Sequence, residues 1–316
     1  MGDAVLDFRA AILDAMPGAA VPDHIEPDRL HRFPTNGKRC DSAGWCKLFG
    51  DRRGGVFGDF RAGLSRTWAA DDQRMMTPAE REQLRQQVAK AAAEREAQQR
   101  ITWQENGRRI AVLWRECSPL LPGDPVTLYL KRRGFAGLWP LPACLRYHPR
   151  LRYWHEDGTT TEHPGMVAPL LAYDGSLLAL HRTYLTRDGR KAIVPEVRKL
   201  TPATGPMGGA CIALHRPAAG VLGIAEGIET ALGAWCASGV PVVAAYSAGN
   251  LAAWRWPDGV RRIVIFADND EAGLNAADQL RARAIRHHLS VEVLPPTDPG
   301  ADWCDVWCQR GQEVKA

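Results

Sequence analysis

Two apolar segments in the last third of the chain each end in acidic residues. Val221–Ala225 is followed by Glu226, and Arg262–Ala267 is followed by Asp268 and Asp270. Functional groups of open parallel sheets gather beyond the carboxyl ends of the strands, so these three carboxylates are expected to converge. Hard oxygen ligands of this kind suit Mg²⁺ or Mn²⁺, which also bind substrate phosphates. The spacing therefore predicts a divalent-metal site made by Glu226, Asp268 and Asp270.

Further residues near these carboxylates are candidates for the same chemistry. Gly227 lets the backbone approach a phosphate closely, and Asp302 and Asp305 form an acidic cluster that could hold a second ion. Simpler roles stay open for two neighbours. Asp270 could cap the helix that follows it, and Glu229 could be an ordinary acidic residue in the first turn of a helix.

The segments around these residues alternate between strand and helix patterns. Strands are predicted at Val221–Ala225, Val240–Tyr246, Arg262–Ala267 and Ser290–Leu294, with helices at Ile228–Ser238 and Ala272–His288. Such alternation is typical of an α/β layer with a mostly parallel sheet. We therefore expect the C-terminal part to be Rossmann-like.

The preceding segment has a different pattern. Three Asp-Gly pairs (Asp157-Gly158, Asp174-Gly175 and Asp188-Gly189) separate apolar runs, which predicts hairpins and an antiparallel meander. The meander carries a group of cations close together in the sequence: His181, Arg182, Lys191, Arg198 and Lys199. Each could equally belong to a solvated basic face.

Near the N-terminus, basic and aromatic residues alternate between Arg29 and Trp68. The candidates for binding a nucleic-acid template are Arg32, Lys38, Trp45 and Arg61, because aromatic rings stack on unpaired bases while cations neutralise phosphates. The alternative is that the aromatic residues form the core of a small β module. Cys40 and Cys46 do not complete a four-ligand zinc set, so zinc is not expected.

These patterns together predict an α+β protein with four parts. They are a β-rich module at residues 1–76, a helical linker at 77–118, an antiparallel meander at 119–218, and the C-terminal α/β domain at 219–316.

Composition limits the class of protein. The 316 residues carry a formal charge of +4, and 45% are hydrophobic, which is ordinary for a soluble globular protein. The N-terminus is too polar for a signal peptide, and no apolar run is long enough to cross a membrane. The eight cysteines are irregularly spaced and include no C-x-x-C pair, which favours a reducing, cytoplasmic setting.

Three motifs resemble the toprim domain shared by bacterial-type primases, topoisomerases and some nucleases. They are Ile224–Ala231 (IAEGIETA), Phe266–Gly273 (FADNDEAG) and Gly300–Val306 (GADWCDV). The version here is most similar to DNA primases of phages, plasmids and mobile elements, over roughly residues 111–307 and more loosely 28–63. The upstream Leu180–Leu185 segment (LHRTYL) is similar to the one that precedes toprim in those proteins.

The resemblance implies roles for the residues. Glu226 would be the general base or acid of phosphoryl transfer, and Asp268 and Asp270 would hold the catalytic metal. Supporting acidic residues would be Glu229, Asp302 and Asp305. Contacts to nucleotide phosphates or template would come from Arg182, Lys191 and Lys199.

The activity implied is the synthesis of short RNA primers from NTPs on single-stranded DNA. The chain has no G-x-x-x-x-G-K-[ST] phosphate loop, so a replicative helicase would have to act in trans. Two alternatives stay open. One is a toprim nuclease using the same carboxylates, and the other is a non-catalytic protein that binds DNA or recruits a helicase.

Overall fold

The structure is a computed structural model that describes residues 3–37, 43–60, 62, 64–70 and 77–313, with side chains up to residue 310. The chain divides into two compact units. One comprises residues 1–101 with 155–159, and the other comprises residues 102–154 with 160–316. Antiparallel sheets precede a parallel sheet along the chain, which confirms the predicted α+β class.

The first unit is built on an antiparallel sheet. Its described strands pair in the order β1-β2-β3-β4, with β1 at His31–Phe33, β2 at Gly44–Leu48, β3 at Gly54–Asp59 and β4 at Leu64–Ala69. Helix α1 (Ala4–Ala15) is capped by Asp3 and buries Phe8 and Ile12 against this sheet. Strands β2 and β3 form an antiparallel hairpin in which Leu48 pairs with Gly55.

Helix α2 (Pro78–Glu116) begins with a capping box. Thr77 N donates to a Glu80 carboxylate oxygen at 2.9 Å, and Glu80 N donates to the Thr77 hydroxyl at 3.3 Å. The segment predicted as a helical linker forms one continuous helix of 39 residues. Within the described ranges, no helix combines the length and the apolar character needed to span a membrane.

The second unit begins with the antiparallel meander. The described strands lie in the order β5-β6-β7-β8-β9, with β5 at Ser118–Pro119, β6 at Arg146–Trp154, β7 at Thr160–Leu171, β8 at Leu177–Tyr184 and β9 at Arg198–Leu200. The glycines of the three predicted Asp-Gly turns all have positive φ angles, as such turns require. Helix α3 (Pro125–Leu130), capped by Asp124, continues into a π-helical turn at Lys131–Phe135.

The C-terminal part forms the predicted parallel sheet, in the order β11-β10-β12-β13. Its strands are β10 at Val221–Ala225, β11 at Val242–Ala244, β12 at Arg262–Phe266 and β13 at Ser290–Val293. Its helices are α4 at Ile228–Ser238, α5 at Ala248–Ala253, α6 at Glu271–Arg286 and α7 at Trp303–Glu313. Apolar residues of the sheet face two separate cores, and one of these cores also contains residues of the meander, such as Met166 and Ala168.

Candidate functional site

The two predicted acidic motifs meet because their strands are neighbours. Strands β10 and β12 pair in parallel with Ala225 opposite Phe266, so the residues that follow them leave the same edge of the sheet. Glu226 and Asp268 line a single cavity of about 150 Å³ there. Asp302, which precedes α7, lines the same cavity. The structure therefore brings together carboxylates from three separate loops.

Asp268 is the most perturbed of these carboxylates. Burial first, and then the negative charges of the neighbouring acidic residues, Glu226 foremost, together raise its pKa to about 7. Its Oδ1 atom is buried and has no hydrogen-bond partner among the described residues. The pKa of Glu226 is also raised, first by burial and then by Asp270. The edge of the sheet thus concentrates negative charge that no described cation neutralises at Asp268.

Asp270 follows Asp268 by two residues and caps helix α6. Its Oδ1 accepts a hydrogen bond from Gly273 N at 2.7 Å, so the capping role left open by the sequence is observed. A Cβ atom at position 273 would lie 2.6 Å from the carbonyl oxygen of Asp268, and only glycine allows this close approach. The Asp-x-Asp-x-x-Gly spacing thus fixes the start of α6 against Asp268. Asp270 contributes its charge to the site.

The third acidic loop also doubles as a helix start. Asp302 Oδ1 accepts hydrogen bonds from Cys304 N at 2.6 Å and Asp305 N at 3.0 Å. Asp305 returns the interaction by accepting from Asp302 N at 3.2 Å. The second oxygen of Asp302 lies 3.4 Å from the Thr230 hydroxyl. Asp302 is therefore a residue of the cavity, whereas Asp305 secures the loop that presents it.

Glu229 has a different environment from the one expected for a residue that supports a metal. It is 3% exposed, its Oε1 accepts a hydrogen bond from the Tyr129 hydroxyl at 2.6 Å, and Arg198 NH2 lies 3.0 Å from the same oxygen. Burial alone would raise the pKa of Glu229, but the charge of Arg198 and the Tyr129 hydrogen bond lower it overall. The structure thus assigns Glu229 to holding Arg198.

Positive charge reaches the cavity from the meander. Strands β8 and β9 pair with Thr183 opposite Arg198 and Arg182 opposite Lys199. Because successive side chains of a strand point to opposite faces, His181 and Arg198 share one face and Arg182 and Lys199 share the other. His181 and Arg198 line the cavity, together with Arg133 from the π-helical turn.

The predicted nucleotide-binding cations lie elsewhere. Arg182 NH2 donates to the Leu200 carbonyl at 2.8 Å, and the Lys199 ammonium sits 4.1 Å from the Tyr153 ring centroid. Lys191 is exposed in the turn after β8. Of the four residues expected to bind nucleotide or template, only Gly227 lines the cavity, with an extended backbone (φ −99°, ψ 164°). Arg182 and Arg198 lie on different strands, so only the register of β8 and β9 separates their faces, and the sequence gives no local signal for it.

His181 was counted among the cations, but burial changes its state. The residue is 8% exposed, and burial lowers its pKa to about 4, so the ring is neutral near pH 7. Its Nδ1 has no hydrogen-bond partner in the described part of the chain. The fixed positive charge of the cavity therefore comes from Arg133 and Arg198.

The N-terminal candidates have distinct environments. Trp45 is 2% exposed, with Arg95 stacked on its ring at 4.3 Å, so it belongs to the core of the module. Arg32 stacks on Phe60, whose side chain is 40% exposed. Lys38, Cys40 and Arg61 lie outside the described residues. Burial raises the pKa of the Cys46 thiol to about 12.

Whether the cavity suits a divalent cation can be judged from its donors. No three His, Cys, Asp or Glu side chains in the described ranges are grouped as the ligands of one ion. The donor chemistry nevertheless fits, because Asp268 offers an unpartnered buried oxygen and the neighbouring acids disfavour its ionisation. A bound cation would relieve both costs. Glu226, Asp268 and Asp302 are the residues that would hold it.

Two family models match separate segments of the chain. Residues 221–313 match the family model described as Toprim domain, and residues 104–213 match one described as Domain of unknown function (DUF7146). The comparison with curated proteins finds no match.

Several solved structures are similar to this chain at low identity. A DNA primase domain from Pseudomonas aeruginosa is 17% identical with a TM-score of 0.36, covering 52% of this chain and 54% of its own. The RNA polymerase domain of Mycobacterium tuberculosis primase DnaG in complex with double-stranded DNA is 16% identical, with a TM-score of 0.40 and coverage of 67% and 77%. The primase fragment of the bacteriophage T7 primase-helicase protein is 14% identical, with a TM-score of 0.37 and coverage of 90% and 98%. The chain thus spans about half of the Pseudomonas domain, and TM-scores below 0.5 do not by themselves establish a shared activity.

Proposed function

We propose, from the premise that residues 221–313 form a toprim domain, that this protein is a DNA primase that makes short RNA primers from NTPs on single-stranded DNA. One observation carries the proposal. Carboxylates that follow the parallel strands and arginines from the part of the chain before that sheet line one small cavity. This arrangement suits a triphosphate, whose oxygens pair with guanidinium groups while its reacting phosphorus lies near the carboxylates.

The residues of the cavity would have separate roles in nucleotidyl transfer. Arg198, held by Glu229, and Arg133 would bind phosphate oxygens of the NTP. Glu226 would accept the proton of the attacking 3′-hydroxyl, because its raised pKa makes it a better base. The new bond would join that oxygen to the α-phosphorus, and pyrophosphate would leave. A divalent cation, Mg²⁺ or Mn²⁺, would neutralise phosphate charge and favour in-line displacement.

Other parts of the proposal concern the template. Arg182, Lys191 and Lys199 lie outside the cavity lining, so we assign them to template contacts rather than to the NTP. In the N-terminal module, Arg32 with exposed Phe60 is the candidate for stacking on a template base. The described cysteines are all free thiols, which suits a reducing, cytoplasmic compartment. A helicase partner would act in trans.

The test is a priming assay with matched variants. Purified protein is incubated with single-stranded DNA, Mg²⁺ or Mn²⁺ and labelled NTPs, and oligoribonucleotides are separated by length. Arg198→Gln should raise the KM for NTP by roughly 10- to 100-fold, the value of one or two hydrogen bonds to a charged group. Arg182→Gln, on the opposite face of the same strands, should leave that KM near the wild-type value and weaken template binding instead.

Other outcomes would redirect the assignment. Degradation of the template without synthesis would replace the primase with a nuclease that uses the same carboxylates. DNA binding with neither synthesis nor cleavage would indicate a non-catalytic protein.

A further inference from the structure

A cluster of arginines lies on the parallel-sheet domain away from the cavity. Arg255 follows helix α5, and Arg283 and Arg286 belong to the last turns of α6. Helix α6 starts at the cavity with its Asp270 cap and runs for 16 residues, so its far end is about 24 Å from that cap at 1.5 Å per residue. We call Arg255, Arg283 and Arg286, with the adjoining Tyr173 and Trp256, the distal arginine cluster.

The central member of the cluster is held in place by the backbone. Arg283 NH1 donates to the carbonyl oxygens of Ala252 at 2.6 Å and Trp254 at 3.1 Å. Its guanidinium carbon lies 5.8 Å from the ring centroid of Trp256. These contacts join the end of α5 to α6 and fix the position of one positive charge.

The outer members present their charge to solvent. Arg255 stacks on the ring of Tyr173 at 3.8 Å, and Tyr173 is itself 56% exposed. Arg255 and Arg286 are both exposed. A guanidinium stacked through its face keeps its in-plane N–H donors free for an acceptor that binds through two oxygens, such as phosphate. The stack therefore orients Arg255 without using up its donors.

The charges of the cluster are poorly balanced. Burial lowers the pKa of Arg283, and the neighbouring Arg255 and Arg286 lower it further. In the described ranges, none of the three arginines is within ion-pair distance of a carboxylate that the structure records. Asp174 is near enough to Arg255 for an electrostatic interaction. Its Oδ1, however, already accepts hydrogen bonds from the backbone N–H and the hydroxyl of Ser176. Grouping like charges in this way is costly unless an anion joins them.

We infer that the distal arginine cluster binds the phosphate backbone of a single-stranded nucleic acid, with Tyr173 stacking on a base. The exposed aromatic ring beside arginines favours nucleic acid over an acidic protein, because stacking on bases adds to phosphate pairing. This inference does not depend on the primase assignment, since binding at the cluster is separate from chemistry in the cavity.

The experiment measures DNA binding by the full-length protein. A fluorescent oligo-dT of 30 nucleotides is titrated against wild type, the double variant Arg255→Gln/Arg286→Gln, and Arg281→Gln, an exposed control on the same helix outside the cluster. Arg283 is left intact because it caps backbone carbonyls. Loss of two phosphate contacts should reduce the log–log salt slope by about 1.4, at about 0.7 per phosphate on single strands, and weaken binding roughly 10-fold at moderate salt.

Two further measurements separate the sources of binding. Tyr173→Ala should weaken binding to oligo-dT more than binding to inorganic polyphosphate, because it removes a surface for base stacking as well as the ring that orients Arg255. Wild-type affinity and salt slope in the double variant would overturn the inference. Equally strong binding of polyglutamate that is lost in the double variant would also overturn it, because the surface would then recognise acidic protein. Circular dichroism melting confirms that each variant is folded.

Discussion

The fold shifts the pKa values of two carboxylates that line the same cavity in opposite directions. Asp268 stands at the edge of the parallel sheet, where burial and neighbouring acids raise its pKa to about 7. Glu229 is more deeply buried, yet Arg198 and Tyr129 overcome the effect of burial and lower its pKa. Environments that push the pKa values of neighbouring acids apart are typical of functional sites. We therefore expect Asp268 to bind a ligand, whereas Glu229 holds the positively charged side chain of Arg198 in position.

We expect the largest effect from Asp268→Asn, which removes the carboxylate whose pKa the fold raises. Priming should fall by at least about 100-fold, as for other groups that act on transition-state charge. The free energy of unfolding at pH 8 should instead rise by about 1–2 kcal/mol, a value discounted for partial solvation, because asparagine removes a buried carboxylate that must ionise. Urea unfolding and the priming assay give the two readouts.

The raised pKa of Asp268 determines how the free energy of unfolding changes with pH. A carboxyl whose pKa is raised by folding stabilises the folded state when protonated, so its contribution is present at pH 4 and is lost as the pH rises towards about 7. The stability gain of Asp268→Asn should therefore grow through this interval and be complete above it. Asp278→Asn, at an exposed position of α6, is the matched control and should change neither readout. A variant that is less stable than wild type at pH 8 would contradict the proposed cost of ionising the buried Asp268 carboxyl group.

How far the sequence could anticipate these two carboxylates depends on the range of their contacts. Asp268 and Glu226 follow apolar strands directly, so local pattern and the rule for parallel sheets were enough to place them at one edge. The partner of Glu229 could not be found in this way, because Tyr129 is 100 residues distant along the chain. Arg198 was visible as a cation, but selecting it over Arg182 required the register of β8 and β9. The pairing of β8 with β9 determines which arginine reaches the cavity, and no local sequence motif predicts this pairing.

The second prediction tests the paired carboxylate. Glu229→Gln should lower the free energy of unfolding by about 2 kcal/mol at pH 7, below the range for fully buried pairs because the Arg198 side chain is 46% exposed. The pKa of Glu229 is lowered by folding, so its stabilisation is present above the ordinary glutamate range and is lost as the pH falls through the lowered value. The difference between wild type and variant should accordingly shrink in acid.

A matched pair elsewhere in the domain controls for ion pairing in general. Arg262 and Glu292 approach to 2.6 Å, and both side chains are about half exposed, whereas Glu229 is buried. Glu292→Gln should cost less than about 1 kcal/mol, as exposed pairs do. Glu229→Gln should also raise the KM for NTP, because Arg198 loses the partner that positions it, and Glu292→Gln should not. Equal costs and an unchanged KM in both variants would remove the positioning role of Glu229.

The smallest expected effect, that of Tyr129→Phe, tests whether Glu229 needs both of its partners. The change removes one hydrogen bond to a charged oxygen and should cost about 1.5 kcal/mol. Tyr184→Phe removes a hydroxyl that donates at 3.1 Å to the neutral carbonyl of Arg152, so it should cost less and serves as the control. Combining Tyr129→Phe with Glu229→Gln should give less than the sum of the single losses, with a coupling of at least about 0.5 kcal/mol for groups in one network. Strict additivity would mean that the hydroxyl stabilises the fold independently of the Glu229 charge, and the contrast between Glu229 and Asp268 would then rest on Arg198 alone.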